Sequence, residues 1–377
     1  MEERLQFDRE RFLKTFMEMV RIDSEYGFEG EMTAYLEKWF KDRGAEVKRD
    51  NAGSTCGSTG DNIIVHIPGT MPGEAICFNA HQDTVIPGKG IVPQLDGDVL
   101  TSAGETILAA DDKSGVALLL EAYENICEKN IPHREMYYLF TIGEEFGQTG
   151  AHALDPKDVP CRSIMSIDDA GRPCNIDIKG PGCWLVNAEF TGRAAHPSVN
   201  PEDGISAVQM MAHAIANMPL GKIGNGVSAN IGCASGGETA GGIPEFAKFS
   251  AIVYGSDFEN PMRQIETMRT ACEDAAKKFG GKVEFSSKER IPVYHQDEDW
   301  FVFKCCRDAY RKEGIEPKLT ISGGAGDCNI LIGKGYECGG IASGMYNCHA
   351  LNEYLDLNDF ALTYRIIMRM MTDGFEG

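Results

Sequence analysis

The stretch Ala75-Ile-Cys-Phe-Asn-Ala-His81-Gln-Asp83 is the one around which the rest of this chain is organised. Its apolar residues as far as Ala80 follow a proline and a glycine, and they predict a short buried strand. His81 and Asp83 would then lie at the carboxyl end of that strand, which is the edge where open α/β sheets bind ligands. Side chains two residues apart in a strand face the same way. The carboxylate can therefore hold one imidazole nitrogen and leave the other for a metal ion.

Four further apolar segments end in acidic residues or in histidine: Ile107–Asp112, Tyr137–Glu145, Ser163–Asp169 and Gly344–His349. Two histidines and several carboxylates at the ends of such segments form a pattern typical of a metal site. The plain alternative is an α/β protein whose acidic strand ends cap helices, a task that Asp111, Asp112 or Ser114 would suit. That alternative gives no purpose to the adjacent Glu144 and Glu145, because neighbouring buried carboxylates repel each other without a cation.

Length and charge set outer limits on the class of protein. A chain of 377 residues exceeds the usual size of one hydrophobic core, so two domains are expected. A net charge of −21 argues against binding nucleic acid or an anionic membrane surface. No apolar run approaches the roughly 18 residues of a membrane span, and no signal-peptide core is visible. Thirteen cysteines without any C-x-x-C pair predict reduced thiols in a cytoplasmic protein.

The pattern of elements changes after Gly180. From there the sequence predicts a β-α-β-β-α-β order, typical of a ferredoxin-like α+β unit. Its expected elements are a strand at 184–191, a helix at 204–217, strands at 227–234 and 247–254, a helix at 261–279 and a strand at 282–286. We therefore expect an α/β catalytic domain, with a mixed sheet flanked by helices, over 1–181 and 289–377. The small unit, at 182–288, is inserted in it as a lid.

The motifs together resemble one known family. They are His81-x-Asp83, Ala110-Asp-Asp-Lys-x-Gly115, Glu144-Glu145, Ile167-Asp168, Gly192-x-Ala-Ala-His196-Pro and the late His349. In this order they are similar to the co-catalytic zinc peptidases, which include peptidase T, carboxypeptidases, dipeptidases and aminoacylases. The likeness covers essentially the whole chain. It is nearest to tripeptide aminopeptidases of the peptidase T type, where Ala-Asp-Asp-Lys, Gly-Glu-Glu and an aspartate at 168 are typical.

The resemblance implies a dinuclear metal site and a fold with a lid. His81 and Asp168 would bind one zinc ion, Glu145 and His349 would bind the other, and Asp111 would bridge the two. Manganese and cobalt are the alternative metals. The absence of cysteine among these residues suits a hydrolytic zinc site better than a structural one.

The same resemblance implies roles around the metals. Asp83 would orient the neighbouring imidazole, and Glu144 would be the general base that takes a proton from water and returns it to the leaving amine. His196 would reach from the lid to the substrate carbonyl and stabilise the oxyanion. Asn329, in the segment Gly323-Gly-Ala-Gly-Asp-Cys-Asn329, would help to hold the substrate. The expected partner is a small peptide, and a homodimer through the lid domain is expected from relatives.

Two positions depart from the family pattern and leave the specificity open. Tyr254 stands where the family usually has a lid arginine that pairs with the carboxylate of the substrate, and Arg193 or Lys248 would have to replace it. The lid motif Asn-x-Val-Pro is replaced by Gly241-Gly-Ile-Pro244. A dipeptidase, an aminoacylase or an N-acyl amino acid deacylase is therefore the alternative enzyme. A non-catalytic metal- or peptide-binding protein is the remote alternative, because it would not need a base at Glu144.

Overall fold

The computed structural model describes residues 2–375. It divides into two compact units, one running to Gly180 and resuming at His295, and the other covering Pro181–Tyr294. We call them unit 1 and the inserted unit. The sequence predicted an insertion at 182–288, and in the structure the inserted unit ends six residues later than that. Residue 1 and residues 376–377, the outer ends of the expected catalytic domain, lie outside the described residues.

Ten α-helices are found among the described residues. They are α1 (Arg9–Met19), α2 (Gly30–Lys41), α3 (Ala52–Cys56), α4 (Ala110–Lys129), α5 (Thr149–Ala153), α6 (Ala207–Ala216), α7 (Glu259–Phe279), α8 (Phe301–Lys312), α9 (Asp327–Gly333) and α10 (Leu357–Thr372).

Eighteen strands accompany these helices in the described part of the chain. They are β1 (Glu46–Arg49), β2 (Ile63–Ile67), β3 (Ile76–His81), β4 (Val92–Asp96), β5 (Val99–Ala103), β6 (Met136–Thr141), β7 (Ser163–Asp169), β8 (Asn175–Gly180), β9 (Gly182–Thr191), β10 (Gly221–Gly224), β11 (Val227–Gly236), β12 (Phe246–Gly255), β13 (Lys282–Ile291), β14 (Tyr294–His295), β15 (Lys318–Ile321), β16 (Glu337–Ala342), β17 (Met345–Tyr346) and β18 (Tyr354–Asp356).

Unit 1 is built on a mixed nine-stranded sheet. Its strand order is β1-β2-β6-β3-β7-β16-β8-β14, and β15 pairs with β8. Strands β6, β3, β7 and β16 are neighbours and run parallel, whereas β2 is antiparallel to β6. The carboxyl ends of four adjacent strands therefore meet at one edge of the sheet. A smaller sheet, β17-β18-β5-β4, lies in the same unit. The predicted α/β class is confirmed.

The core of unit 1 explains why its central strands read as continuous apolar runs. Every residue of β3 and of β6 is buried, because both faces of the sheet are covered. Helix α1 buries Phe12 and Phe16, as their four-residue spacing predicts, and α4 is buried along almost its whole length. Within residues 2–375 no helix is both long and apolar enough to cross a bilayer.

The inserted unit has one five-stranded antiparallel sheet and two helices. The strand order is β10-β11-β12-β9-β13, and α6 and α7 pack on one face over a core that includes Trp184, Phe190, Met210, Phe249 and Met268. This is the predicted β-α-β-β-α-β order with one additional strand. The sequence did not predict strand β10, because Gly221–Gly224 contains a single apolar residue and is mostly exposed.

Candidate metal centre

The candidate ligands gather because three neighbouring parallel strands end beside one another. His81 is the last residue of β3, and Asp168 is the next-to-last residue of β7. Glu144 and Glu145 follow β6 after an interval of two residues. Because β3 lies between β6 and β7, the imidazole is flanked by carboxylates from both sides. This edge of the sheet is where the sequence placed them.

Asp111 enters the centre from the start of α4. Its φ and ψ are −82° and 106°, so the regular helix begins only after Asp112. The motif glycine Gly115 allows α4 to approach β7, because a Cβ there would lie 2.8 Å from the carbonyl oxygen of Ile167 and 2.5 Å from Asp112 Oδ1. Asp112 Oδ2 accepts a hydrogen bond from the His81 N–H (3.2 Å), which ties the helix start to the end of β3.

Asp111 faces both histidines, one with each carboxylate oxygen. Its Oδ1 lies 3.1 Å from His81 Nε2, and its Oδ2 lies 3.2 Å from His349 Nε2. Asp168 Oδ1 is 3.5 Å from the same His81 nitrogen, and Glu145 Oε1 is 2.8 Å from the same His349 nitrogen. Two compact ligand sets result, and they share one carboxylate: His81, Asp111 and Asp168 in the first, and Asp111, Glu145 and His349 in the second.

The protonation pattern of His81 shows that the first set suits a cation. Its Nδ1 lies 3.0 Å from the carbonyl oxygen of Asp83, and because a carbonyl only accepts, Nδ1 must carry the proton. In the neutral ring the lone pair is then on Nε2, where it faces two carboxylates. A lone pair and two anions at that distance need a positive charge between them. In the metal-free site a proton supplies it, because the effect of burial on the pKa of His81 is outweighed by Asp168 and Asp111, which raise that pKa; a divalent metal ion would take the place of that proton.

The second set gives a parallel observation. Glu145 Oε1 is buried and faces His349 Nε2 at 2.8 Å, the same nitrogen that Asp111 Oδ2 faces. Two buried carboxylate oxygens against one imidazole nitrogen are costly unless a positive charge lies between them, and a shared metal ion supplies that charge. His349 itself sits at φ 65°, in the left-handed region, in the loop between β17 and β18. The donor set of nitrogen and oxygen atoms fits zinc, manganese or cobalt.

Asp83 contacts its neighbours differently from the sequence-based expectation. The contact to the His81 ring comes from the Asp83 main-chain carbonyl, and the carboxylate is farther from it, at 3.5 Å. The carboxylate accepts the main-chain N–H groups of Glu144 (3.0 Å) and Glu145 (3.1 Å). Asp83 therefore joins the end of β3 to the turn that follows β6, because a buried acceptor with two N–H donors fixes both segments.

Glu144 is held in that turn, beside His81 and Glu145. Gly143 before it has φ 60°, and a Cβ there would lie 2.1 Å from Thr149 Oγ1, so only glycine fits this turn. The Glu144 carboxylate accepts a hydrogen bond from Gln148 Nε2 (3.0 Å). Burial, and after it the charge of Asp168, raise its pKa well above the usual value for glutamate. A carboxylate with a raised pKa is suited to exchanging a proton near neutral pH.

Asp168 and Asp169 occupy different environments. Asp168 faces His81, whereas Asp169 lies on the other side of β7, where its carboxylate accepts a hydrogen bond from Ser322 Oγ (3.3 Å). The alternation of a strand separates the two side chains. The geometry thus places Asp168 at the candidate centre, which is the residue that the sequence favoured.

Asn329 has a local task. It is buried in the first turn of α9, and its Oδ1 accepts the N–H of Gly326 (3.0 Å), the residue just before the helix. The neighbouring glycine is the part of this segment that approaches the centre, because a Cβ on Gly326 would lie 3.5 Å from Glu144 Oε1. The substrate-binding role expected for Asn329 stays a prediction.

His196 lies on an exposed turn of the inserted unit. Its Nδ1 accepts hydrogen bonds from the N–H groups of Ser198 (3.3 Å) and Val199 (3.2 Å), and its own N–H donates to Asn200 Oδ1 (3.2 Å). The turn therefore fixes the tautomer, because an Nδ1 that accepts leaves the proton on Nε2.

Sequence reasoning did not single out Glu353 or the contacts of Lys113. Glu353 is buried and accepts three main-chain N–H groups near Asp111. Lys113 is fully buried, and its Nζ donates to the carbonyl oxygens of Met19 (3.1 Å), at the end of α1, and of Ile22 (2.7 Å), three residues later. Burial lowers the pKa of Lys113 to about 7. A glutamate four residues after a candidate histidine ligand was the only hint available in the sequence.

The metal-free centre should make the protein less stable as the pH rises. Burial raises the pKa of Asp168 to about 7, and hydrogen bonds to Asp111 and Glu145 raise the pKa of His349 to about 10. Both groups hold protons in the folded protein at pH values where the unfolded chain has lost them. Stability is therefore lost between about pH 4 and 7 through the aspartate and between about pH 6.5 and 10 through the histidine.

We expect the melting temperature of the chelator-treated protein to fall by several degrees from pH 5.5 to 8. The increment produced by added metal should grow over the same range, because the ligands then lose protons to the ion. Calorimetry at four pH values, with and without zinc, measures both trends. Asp168→Asn should flatten the curve of the metal-free protein. A metal increment that does not change with pH would contradict the assignment of these ligands.

The fold and the centre define a class of enzyme. A parallel strand edge that carries two metal-ligand sets around one shared carboxylate, with a second α+β unit inserted in the chain, is the arrangement of a metallopeptidase. Residues 181–280 match the peptidase dimerisation domain of the M20 family, and residues 62–182 match peptidase family M28.

Proteins of similar sequence and structure make the family explicit. The structure of the aminopeptidase PepT from Bacillus cereus is 35% identical, with a TM-score of 0.87, over 97% of this chain and 98% of that one. A tripeptidase structure from Staphylococcus aureus is 29% identical, with a TM-score of 0.91 and the same coverage. The Bacillus subtilis protein YqjE is 32% identical over 97% of this chain and 99% of its own length. The chain belongs to the M20 metallopeptidase family, among its peptidase T-like members.

Proposed function

We propose that this protein is a dinuclear metal-dependent aminopeptidase that removes the first residue of tripeptides. The observation that carries the proposal is Asp111, whose two oxygens face His81 and His349 at 3.1 and 3.2 Å, with Glu144 in the adjacent turn. One bridging carboxylate with a separate ligand set on each side is what a pair of hydrolytic metal ions needs. The likeness to PepT and to a tripeptidase over nearly the whole chain supports this specificity.

The ligand roles follow the two sets. His81 and Asp168 would hold one ion, Glu145 and His349 the other, and Asp111 both; we infer zinc, with manganese and cobalt as alternatives. When bound, the ions supply Lewis acidity to the peptide carbonyl and to water. Glu144 takes the proton of the attacking water on its carboxylate and delivers it to the amine that leaves. Burial raises the pKa of Glu144, which favours its taking the proton of water before the proton passes to the amine.

His196 is proposed to stabilise the oxyanion. The turn of the inserted unit directs the proton to Nε2, so the imidazole can donate a hydrogen bond while it remains neutral. Preorganised donors of this kind contribute more when they need no reorientation at the moment of reaction. The hydrogen bonds from Ser198 and Val199 supply that preorganisation within the unit itself.

A tripeptide also presents a carboxylate, which needs a cation in the site. The family arginine is replaced by Tyr254, which is exposed on β12. Of the substitutes expected from sequence, Arg193 donates through its Nε to the carbonyl oxygen of Asp203, and Lys248 is exposed. Arg290 is a further candidate, since it is exposed and near enough to Tyr254 to oppose the effect of burial on the pKa of that tyrosine.

Apolar side chains near the ligands suggest which first residues are preferred. Phe146 directly follows Glu145, is 57% exposed, and stacks on Tyr26 with ring centroids 4.2 Å apart. Leu351, two residues after His349, is 53% exposed. Exposed apolar residues beside a binding site are typical contacts for apolar parts of a ligand. We therefore infer a preference for bulky apolar residues over glycine.

We infer further that the protein is a homodimer formed through the inserted unit and that it works in the cytoplasm. The match to a peptidase dimerisation domain over 181–280 supports the dimer. An edge of the sheet also supports it. Strand β10 pairs only with Val227–Ala229, so among the described residues the remainder of β11 has no partner strand on its outer side. The thirteen cysteines are free thiols, which suits a reducing compartment.

A substrate panel tests the proposed function. The metal-loaded protein should release the first residue from Leu-Gly-Gly with a kcat/KM at least tenfold above that for Leu-Gly, tetrapeptides or N-acetyl-leucine. The kcat/KM for Leu-Gly-Gly should also exceed that for Gly-Gly-Gly, because burying a bulky apolar side chain raises kcat/KM by roughly 10-fold or more. Chromatography of the products identifies the bond that is cleaved. Activity confined to dipeptides or to N-acyl amino acids would instead show a dipeptidase or an aminoacylase with the same centre.

A further inference from the structure

Glu353 is a buried carboxylate that serves the segment leading to Asp111. It is 1% exposed, and its Oε2 accepts the main-chain N–H groups of Leu108 (2.7 Å) and Ala109 (2.8 Å). Its Oε1 accepts the N–H of Asp111 itself (2.9 Å). The two residues are far apart in sequence, so this contact forms only in the folded protein.

The segment that Glu353 holds is one that needs an external acceptor. Ala109 has φ 62°, an uncommon conformation for a residue with a side chain. The Asp112 carboxylate caps the regular part of α4 through the N–H of Gly115 (3.1 Å), which lies after the segment that Glu353 holds. Three N–H groups at this start would otherwise be buried without acceptors. A single carboxylate satisfies all three, and a negative charge is also favourable at the amino end of a helix.

The same short loop carries His349. The N–H of Glu353 donates to the carbonyl oxygen of Ala350 (3.0 Å), and Asn347 Nδ2 donates to the carbonyl oxygen of Asn352 (3.2 Å), so the loop is closed on itself. One closed loop therefore carries both His349, a ligand of the second set, and Glu353, the acceptor that fixes Asp111. A displacement of either would change the separation between His349 and the Asp111 carboxylate.

We infer that Glu353 is a positioning residue for the dinuclear centre: it fixes the Asp111 main chain relative to His349 so that one carboxylate serves both ligand sets. This inference rests on the proposed function and deepens it. The Glu353 carboxylate bonds the main-chain N–H of Asp111 and none of the proposed ligand atoms, so its effect on the metal ions passes through the position of the Asp111 main chain. Loss of the Glu353 carboxylate should weaken metal binding by the second ligand set more than by the first, because Asp168 and His81 are held in place by strands of the sheet.

Glu353→Gln tests the inference with almost no change in shape. The carboxamide keeps one oxygen acceptor, and its NH₂ group must then face at least one N–H donor that the carboxylate accepted. We expect the first metal ion to bind with affinity within about threefold of the wild type. The second should bind 10- to 100-fold more weakly, the range for outer residues of metal sites. The kcat at limiting metal should fall by a similar factor, with KM for Leu-Gly-Gly nearly unchanged, and excess metal should restore it.

A matched control and a second variant keep the test decisive. Glu337→Gln changes another buried glutamate, which bonds Ser163 and Arg162, and should bind both ions as the wild type does. If Glu353→Gln does not fold, Glu353→Asp retains the charge and should show the same selective weakening to a lesser degree. Titration calorimetry and cobalt absorption spectra measure the two sites separately.

The outcomes separate the two claims. If the wild-type protein binds two ions and cleaves tripeptides, but Glu353→Gln binds both ions with unchanged affinity, the positioning role is overturned and the proposed function stands. Equal weakening of both ions would also overturn it, because it would indicate a general loss of structure. If the wild-type protein binds no metal or cleaves no peptide, the proposed function itself fails.

Discussion

Glu144→Gln should lower kcat for Leu-Gly-Gly by about 10³- to 10⁴-fold and leave the metal content unchanged. General acid–base catalysis contributes up to about this much, and glutamine cannot take or return a proton. The substitution keeps the size of the side chain and its acceptor for Gln148, so the turn after β6 should survive. Steady-state kinetics and elemental analysis of the same preparation measure both parts of the prediction.

The metal content matters here because Glu144 also lies near His81 and Glu145, and these three residues could form an alternative ligand set. If Glu144 is a ligand, the variant will lose an ion together with its activity. If it is the base, both ions will remain. The control is Glu121→Gln. Glu121 is a buried glutamate of α4 that pairs with Arg11 of α1 and belongs to neither ligand set, so this variant should retain the wild-type kcat. A kcat within tenfold of the wild type would remove Glu144 from the mechanism.

Asp111→Asn should abolish the dinuclear centre. The substitution leaves one oxygen for two histidine-containing sets and puts an NH₂ group against one of them, where a donor opposes the cation. We expect the second ion to be lost at micromolar metal and kcat to fall on the order of 10³-fold or more, because two-metal catalysis depends on both ions. The loss should be larger than that of Glu353→Gln, since Asp111 supplies the ligand atoms themselves.

Metal titration and kinetics in parallel check this result. Asp50→Asn is a suitable control, because Asp50 is a partly buried aspartate that bonds Asn62 and the N–H of Ala52 and belongs to neither ligand set. Asp111→Asn with two ions of normal affinity would show that Asp111 does not bridge. In that case a group other than the Asp111 carboxylate would have to bridge the two ions.

The sequence was informative where function follows from the ends of strands. The apolar runs before His81, Glu144 and Asp168 predict parallel strands, and parallel strands that are neighbours bring their carboxyl ends together. The order of elements in the inserted unit was also predictable, because its strands alternate and its helices have a regular apolar face. These features depend on local patterns that survive in a single sequence.

The remaining features depend on contacts between distant segments. Glu353 bonds Asp111, more than two hundred residues away, and Lys113 bonds the carbonyl group at the end of α1. Neither contact leaves a periodic pattern. Asp83 shows a related limit, because its spacing from His81 predicted a contact through the carboxylate, whereas the structure makes it through the carbonyl and gives the carboxylate to the Glu144–Glu145 turn.

The dinuclear centre is best tested by a crystal structure of the zinc-loaded protein with anomalous difference maps, together with the metal content of the same sample. We predict two ions per chain, one among His81, Asp111 and Asp168 and the other among Asp111, Glu145 and His349. A single ion, an ion held by His81, Glu144 and Glu145, or two ions without Asp111 between them would contradict this prediction.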